Sequence, residues 1–373
     1  MENEMKFAIV KTDLIKPLSH INSVVERKNA IAILSNLVIE AVGQEINFIA
    51  TDMEIDINEK ISANIISDGK TTVPAHTLHD IVKKLPDGSE ILMYVSDNNL
   101  TLECGKSKFT LPTLPFDDFP VMSDISDGKE FSISSADLKN LIDNTKFAIS
   151  LEETRYYLNG IYVHQDEENK NFLKGVATDG HRLAQVKLKL PEGANGIPSI
   201  IIPRKTVNEL RKLLEETDGD ILVKVSKNKI KFTVNNCILT SKLIDGTFPD
   251  YQRVIPQENK NKLEVLTKDF KDAVDRVSTI SIEKTRAVKL EINNNSLILK
   301  VNNSEIGNAI EELTIEFGGE KLEIGFNSKY LLDITNQIQG DKIHFSLSDS
   351  SSPALITDEQ QEGTIFVLMP MRV

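Results

Sequence analysis

Tryptophan is missing from the 373 residues, and cysteine occurs only twice. Cys104 and Cys237 each lie inside a strand-like stretch. They make no disulfide framework and read as small buried apolar residues in a reducing compartment. No apolar run approaches the ~20 residues needed to span a bilayer, so no membrane partner is expected. The opening residues, MENEMKF, are acidic and lack the basic-then-apolar layout of a signal peptide. A cytoplasmic location is expected. Positive charge is also scarce, with a formal net charge of -13. Taken alone, that argues against nucleic acid, because phosphate binding rests on positive charge. The placement of the charges matters more than their total.

Motifs that carry chemistry are absent as well. Neither G-x-x-x-x-G-K-[ST] nor G-x-G-x-x-G occurs, so no nucleotide cofactor is expected. His76 and His79 are three positions apart on a helix-like stretch, with no nearby cysteine or third ligand, and no metal is expected there. No G-x-S-x-G elbow appears, and neither cysteine has the helix-start or basic setting that activates a thiol. The expectation is a protein with no catalytic residues, no metal and no cofactor.

What is present is repetition. The stretches TDLIKPLSHINSVVERK from Thr12, SADLKNLIDNTKF from Ser135 and TKDFKDAVDRVSTI from Thr267 share one plan. Each has Ser or Thr near its start, then Asp and an apolar stripe, the pattern of an N-capped amphipathic helix. The stripes are Leu14, Leu18, Ile21 and Val25; Leu138, Leu141 and Ile142; and Phe270, Ala273, Val274 and Val277. Strand-like runs follow each. A second unit begins at Thr71, Ser199 and Leu322: a short strand, a helix, a Gly-containing turn and an alternating strand. The order is ABABAB with a period of roughly 125 residues, too long for a solenoid. It predicts an α+β fold of three homologous domains, at 1–124, 125–253 and 254–373, each with two helices packed on antiparallel sheets.

The segment GVATDGHRLAQV (175–186) places Asp179 beside His181. Asp179-Gly180 between two apolar runs signals a hairpin, because it supplies the positive-φ positions of a tight turn. A catalytic reading would also need a nucleophile and an oxyanion donor, and neither is named.

The charges are unevenly distributed. The six helix-like segments (13–28, 75–85, 136–147, 204–216, 268–280 and 327–338) carry about +3 together, so the acidic excess lies in strands and loops. Such separation suits a surface that holds a polyanion. Ordinary solvated helix faces fit the same numbers.

The phrases RYYLNGI (155–161), ATDGHRLA (177–184), LIDGTFPDYQRVIP (243–256), FPV after TLPFDD, and the terminal VLMPMRV closely resemble the bacterial sliding clamp, the beta subunit of DNA polymerase III. The likeness runs through the whole chain from Met5, with Met1–Glu4 as a short extension. It implies a head-to-tail ring dimer, with helices lining a hole that encircles double-stranded DNA. The implied partners are the polymerase III catalytic subunit, a clamp loader, and other replication and repair proteins that bind through short peptide motifs. A scaffold that uses the fold without encircling DNA, and a hydrolase built on Asp179 and His181, are the rival readings.

Carried over by motif, the likeness places the ring contact at Phe109 and Leu111 against Thr279 and Ile280. Thr279 departs from the apolar pair the family favours there. DNA-facing candidates are Lys16, Lys28, Arg155, Tyr157 and Lys205, with Arg27 added by proximity. The peptide groove is implied at Leu158, Thr178, Gly180, His181, Arg182, Leu183, Pro249, Arg253 and Val254, at Tyr330 nearby, and at Val367, Leu368, Met369, Pro370, Met371, Arg372 and Val373. In that reading the methionines are adaptable walls and the arginines meet polar groups. From composition alone, VLMPMRV equally fits a terminal strand packed in the core.

Overall fold

The structure, a computed structural model, describes residues 5–281 and 286–372. Six α-helices occur among them: α1 Lys11–Val24, α2 Ala75–Lys84, α3 Ser135–Asp143, α4 Arg204–Leu214, α5 Thr267–Ser278 and α6 Ser328–Thr335. Each falls on an expected segment, and the apolar stripes point inward: Leu14, Leu18, Ile21, Phe270, Ala273 and Val274 are buried.

Two local expectations change. Three helices stop well short of expectation: α3 at Asp143, not residue 147, α6 at Thr335, not residue 338, and α1 at Val24, not residue 28, where the C-cap Val25 is already extended. The next residues, Glu26-Arg27-Lys28-Asn29, offer no apolar side chain to continue the buried stripe. Arg27 and Lys28 therefore sit exposed beyond the helix end. The helix starts also differ from a Ser/Thr cap. The cap positions of α1 and α5 are Val10 and Leu266, without a side-chain hydrogen bond. A neighbouring strand or turn satisfies the first helical N–H instead: Lys11 donates to the Ser89 carbonyl at 2.9 Å, Ser135 to Gly219 at 3.1 Å and Thr267 to Asp341 at 2.8 Å. The same bond at the same place in all three A units is a physical mark of the repeat.

The chain packs as two compact units. The first runs to Ala136 and adds Pro191–Pro198 and Lys205–Leu243; the second takes Asp137–Leu190, Ser199–Arg204 and the chain from Ile244 onward. The division passes through the middle third because of how the strands pair. In the first unit, the strands Gly69–Pro74, Asn36–Val42, Glu45–Thr51 and Ile55–Ser62 form one half of an eight-stranded antiparallel sheet. Cys237–Lys242, Lys229–Val234, Asp220–Val225 and Lys129–Ser134 form the other half, joined where Ile55–Ser62 meets Cys237–Lys242. A separate five-stranded sheet ends on the edge strand Ser107–Pro112.

The second unit repeats the plan. Its nine-stranded sheet joins Arg182–Lys189 to Thr364–Leu368, and its four-stranded sheet ends on the edge strand Gly307–Thr314. In the first unit α1 packs on α2 and on the strands Glu45–Thr51 and Ile55–Ser62. In the second, α5 packs on α6 and on Ser296–Asn303 and Gly307–Thr314, the equivalent strands.

One close approach fixes the start of the nine-stranded sheet. Gly160 pairs with Pro203, and a Cβ placed at Gly160 would lie 2.2 Å from the Ile202 carbonyl oxygen. The two nearest neighbours are both backbone atoms of Ile202, which cannot swing aside as a side-chain end could. Gly160→Ala should therefore cost about 1–3 kcal/mol, as other overpacked sites do. The check is a thermal unfolding curve; an unchanged melting temperature would show that this strand pair yields freely.

Candidate functional site

A cavity of about 270 Å³ opens in the second unit where several expected residues converge. Leu158 arrives at the end of a 3-10 turn, Glu153–Leu158. Thr178, Gly180, Arg182 and Leu183 come from the hairpin between Phe172–Thr178 and Arg182–Lys189. Pro249, Asp250, Tyr251 and Val254 line one side, Val367 comes from the last strand, and Met369 follows just beyond its end. Leu183 is the Cα partner of Val367 across the sheet join, so strand pairing itself brings these walls together.

The chain reverses at Asp179-Gly180 as expected, but the loop is wider than a two-residue Asp-Gly turn: Thr178 pairs with Leu183, and of the two residues only Gly180 takes a positive φ. Gly180 has φ +89, and the Asp179 carboxylate accepts from the N–H groups of His181 at 2.9 Å and Arg182 at 3.1 Å. Asp179 is thus committed to the turn, and the His181 ring stacks on Tyr330 with centroids 6.4 Å apart.

Below the cavity lies a stiff apolar floor of Leu158, Val176, Leu183, Phe248, Tyr251 and Val367. Tyr162 and Phe248 stack with centroids 4.7 Å apart and rings nearly parallel at 6°. Burial pulls the His164 imidazole below its ordinary pKa and pushes the Tyr251 phenol up, so both are neutral near pH 7. The His164 Nδ1 lies 2.8 Å from the Gln165 carbonyl and must donate to it. Its Nε2 therefore accepts from the Tyr251 hydroxyl at 3.0 Å.

Arg182 is held more tightly than its place in a binding wall suggests. Its side chain is 7% exposed, and its Nη1 lies 2.6 Å from Asp333. Nε donates to Asp179 at 3.1 Å and Nη2 to the Phe147 carbonyl at 2.5 Å. The guanidinium lies 4.3 Å from the Tyr330 ring centroid and 5.1 Å from that of Phe147. These bonds occupy most of its donors, so Arg182 braces the wall.

The other expected positions are distributed differently. Arg253 is 83% exposed and pairs with Asp250 at 2.7 Å. Leu368 is fully buried, facing away from the cavity. After Met369, whose N–H donates to the His181 carbonyl at 2.9 Å, the chain leaves this site. Pro370, Met371 and Arg372 line a second, more polar cavity of about 570 Å³ with Lys289, Glu323 and Ser351. Val373 lies outside the described residues. Arg155 and Tyr157, expected to face DNA, line the first cavity. Asp250 and Tyr251 were missed by the sequence reading, although they lie inside the FPDYQRV phrase.

Among the expected DNA-facing cations, Lys16 is mostly exposed and pairs with Glu216 at 2.9 Å. Lys205 donates to Asp52 at 2.6 Å, to the Val24 carbonyl at 3.1 Å and to Glu26. Burial lowers the Lys205 pKa, and the two carboxylates outweigh it and raise the net value. Lys205 is therefore already neutralised within the fold, whereas Arg27 and Lys28 stand out in solvent.

At the expected ring contact, Phe109 is half-buried and Leu111 buried on the edge strand Ser107–Pro112. Thr279 is exposed and Ile280 half-buried, just beyond α5. Two residues unmarked by the sequence reading, Ile306 and Ile310, are 66% and 65% exposed at the edge strand Gly307–Thr314. Their signal was weak: Ile306 is a single apolar residue in NNSEIGN, and Ile310 shares NAIEEL with Ala309 and Leu313.

Profiles of the N-terminal, central and C-terminal domains of the DNA polymerase III beta subunit match residues 5–123, 132–250 and 252–372, in that order. The chain belongs to this family. It is 47% identical over 372 residues to the beta sliding clamp of Caulobacter vibrioides, covering 99% of this chain and 100% of the relative. The Pseudomonas aeruginosa beta sliding clamp is 38% identical, with 99% and 100% covered. Among solved structures, a sliding clamp (DNA polymerase III subunit beta) from Bartonella birtlesii bound to griselimycin superposes with a TM-score of 0.97 at 49% identity, with 99% and 100% covered. Three clamp domains of helices and antiparallel sheets are thus the fold of this beta-subunit relative.

Arg182→Ala would leave Asp333 and Asp179 without their main cation in a partly buried place. The expected loss is about 1–3 kcal/mol in urea unfolding. Arg182→Lys should not restore it, since an ammonium cannot reproduce the fork and the stacking. Wild-type stability in Arg182→Ala would remove Arg182 from its bracing role.

Proposed function

We infer that this beta-subunit relative is a DNA sliding clamp, a processivity factor without catalytic activity that tethers a replicative polymerase to duplex DNA. The observation that carries this is the family match running through residues 5–372 in three consecutive domains. Domain boundaries at 1–124, 125–253 and 254–373 accompany the proposal.

The strand joins support a ring of two copies. Each A-type half ends on a third strand, Ile55–Ser62, Arg182–Lys189 or Gly307–Thr314. Each B-type half ends on Ser107–Pro112, Cys237–Lys242 or Thr364–Leu368. Within the chain the first A strand pairs with the second B strand, and the second A strand with the third B strand. The third A strand and the first B strand remain as open edges. Pairing Gly307–Thr314 of one copy with Ser107–Pro112 of another continues the rule, makes the contact twice, and closes a head-to-tail homodimer. Closure also covers edges that would otherwise invite aggregation. Phe109 and Leu111 would meet Ile280, Ile306 and Ile310, with Thr279 at the margin. Exposed Lys106 beside one edge and exposed Glu305 beside the other carry opposite charge.

A ring that slides needs attraction without register. Dispersed lysines and arginines supply sequence-independent attraction to phosphates, whereas base-edge contacts worth ~1–3 kcal/mol each would pin it. Arg27, Lys28 and Lys16 are the proposed DNA-facing cations, and Lys205 contributes less because Asp52 and Glu26 hold it. The proposed location is the cytoplasm, where a clamp loader would open the ring around DNA.

The apolar cavity is proposed to take short peptides from the polymerase catalytic subunit and from replication and repair proteins. Leu158, Leu183, Pro249, Val254, Val367 and Met369 suit apolar anchors. Thr178, Gly180, Arg155 and Tyr157 border them, with His181, Tyr330 and Arg253 at the rim.

On loading by a clamp loader, the protein should stay on closed circular DNA and be lost when that DNA is linearised; gel filtration of the complex before and after cutting reads this out. Equal retention on both forms would end the ring reading. Separately, Val254→Asp should weaken binding of a polymerase-derived clamp-binding peptide by about tenfold or more in fluorescence anisotropy. The solution mass should stay that of the dimer. Unchanged peptide affinity would place the peptide elsewhere.

A further inference from the structure

Cys237 opens its strand directly across the sheet from Glu59. Opposed residues of an antiparallel pair project from the same face. On that face lies α1, which turns His20 inward. Its Nδ1 is 2.7 Å from Glu59 Oε2, and its Nε2 is 3.0 Å from Glu216 Oε1. Glu216 also pairs with Lys16 at 2.9 Å. Glu59 is 4% exposed and Cys237 3%. The donor atoms of His20, Glu59 and Cys237 all lie within 4.8 Å of one another. A cavity of about 290 Å³ adjoins them.

We propose that His20 Nδ1, Glu59 and Cys237 form a site for a divalent zinc-class cation, with Glu216 orienting the imidazole through its other nitrogen. The proposal is independent of the clamp reading. Nitrogen, carboxylate and sulfur donors in one buried cluster suit Zn²⁺ rather than Ca²⁺ or Mg²⁺, which prefer oxygen alone. Donors about 2.0–2.3 Å from zinc stand about 3.3–3.8 Å apart in a tetrahedron. Small side-chain rotations reach that spacing. The adjoining cavity leaves room for water as the fourth ligand. The Glu216–His20 contact is the carboxylate–histidine arrangement that fixes a ligating imidazole.

The charges balance. Burial lowers the His20 pKa, but the hydrogen bonds and charges of Glu59 and Glu216 outweigh it and raise the net value. Burial first, and then the same carboxylates, push the Cys237 thiol up. Where His20 is charged, an imidazolium and a thiol share the site without metal. A dication entering as Nδ1 and Sγ each release a proton to solvent leaves the total charge unchanged, and no electron moves. The titratable groups around His20 are Asp13, Lys16, Glu59, Glu216 and Cys237. Because the thiol must lose its proton to bind, affinity should rise with pH. Bound metal would cross-link α1 to the two strands that make the sheet join.

The test is titration of the full chain, stripped with chelator, with Co²⁺, following sulfur-to-cobalt charge-transfer absorption. One equivalent per chain should produce the band, and Zn²⁺ should displace it. Cys237→Ser should abolish the band while Cys104→Ser keeps it. Glu59→Gln should weaken binding roughly tenfold or more. A wild-type protein with no thiolate–cobalt band overturns the site whatever the variants do, as does a band that survives Cys237→Ser.

Discussion

Backbone hydrogen bonding along sheet edges is the constraint on which the architecture rests. An unpaired edge strand exposes a row of donors and acceptors, and a stable protein must cover, charge or pair it. Here each half-domain sheet is short and seeks a neighbour. Ile55–Ser62 finds Cys237–Lys242, and Arg182–Lys189 finds Thr364–Leu368. The two long sheets produced in this way explain why compact packing divides the chain through its middle third. They also leave Ser107–Pro112 and Gly307–Thr314 as open sheet edges.

The same joins generate the two chemically distinctive places in the molecule. At the second, Leu183 opposite Val367 gives an apolar cavity over a floor locked by Tyr162, Phe248, His164 and Tyr251. A rigid floor with a half-exposed Met369 and Val254 at its mouth combines preorganisation with adaptability. At the first, the opposed pair is Cys237 and Glu59, and the result is a polar, buried cluster around His20. These are not equivalent positions of the repeat: the counterpart of Glu59 opposite Cys237 is Val186 opposite Thr364, and that of Leu183 opposite Val367 is Asp56 opposite Thr240.

Charge needs the same local reading. The chain is strongly acidic, yet its capacity to hold a polyanion depends on which cations are unengaged. Lys205 and Lys16 look equivalent as letters. In the fold, two carboxylates and a carbonyl hold Lys205, whereas Lys16 makes one exposed pair. Arg182 likewise looks like a ligand-binding arginine, but its donors are taken up by Asp179, Asp333 and Phe147.

Much of this was legible from order and periodicity. The ABABAB plan, six amphipathic helices, their buried stripes and the Asp179-Gly180 reversal are all set by neighbours a few positions apart, where helix and turn preferences act. The family likeness supplied most of the cavity wall, since phrases such as ATDGHRLA keep a local shape. Helix starts were misread because the partner of the first N–H, for example Ser89 for Lys11, lies on a distant strand or turn. Ile306 and Ile310 carried no distinctive local pattern until the strand Gly307–Thr314, which Ile306 precedes and Ile310 occupies, proved to be an edge. The meeting of His20, Glu59 and Cys237, and the bracing of Arg182 by Asp333, were invisible along the chain. Contacts between residues more than 100 positions apart arise from strand pairing and packing, for which local periodicity carries no record.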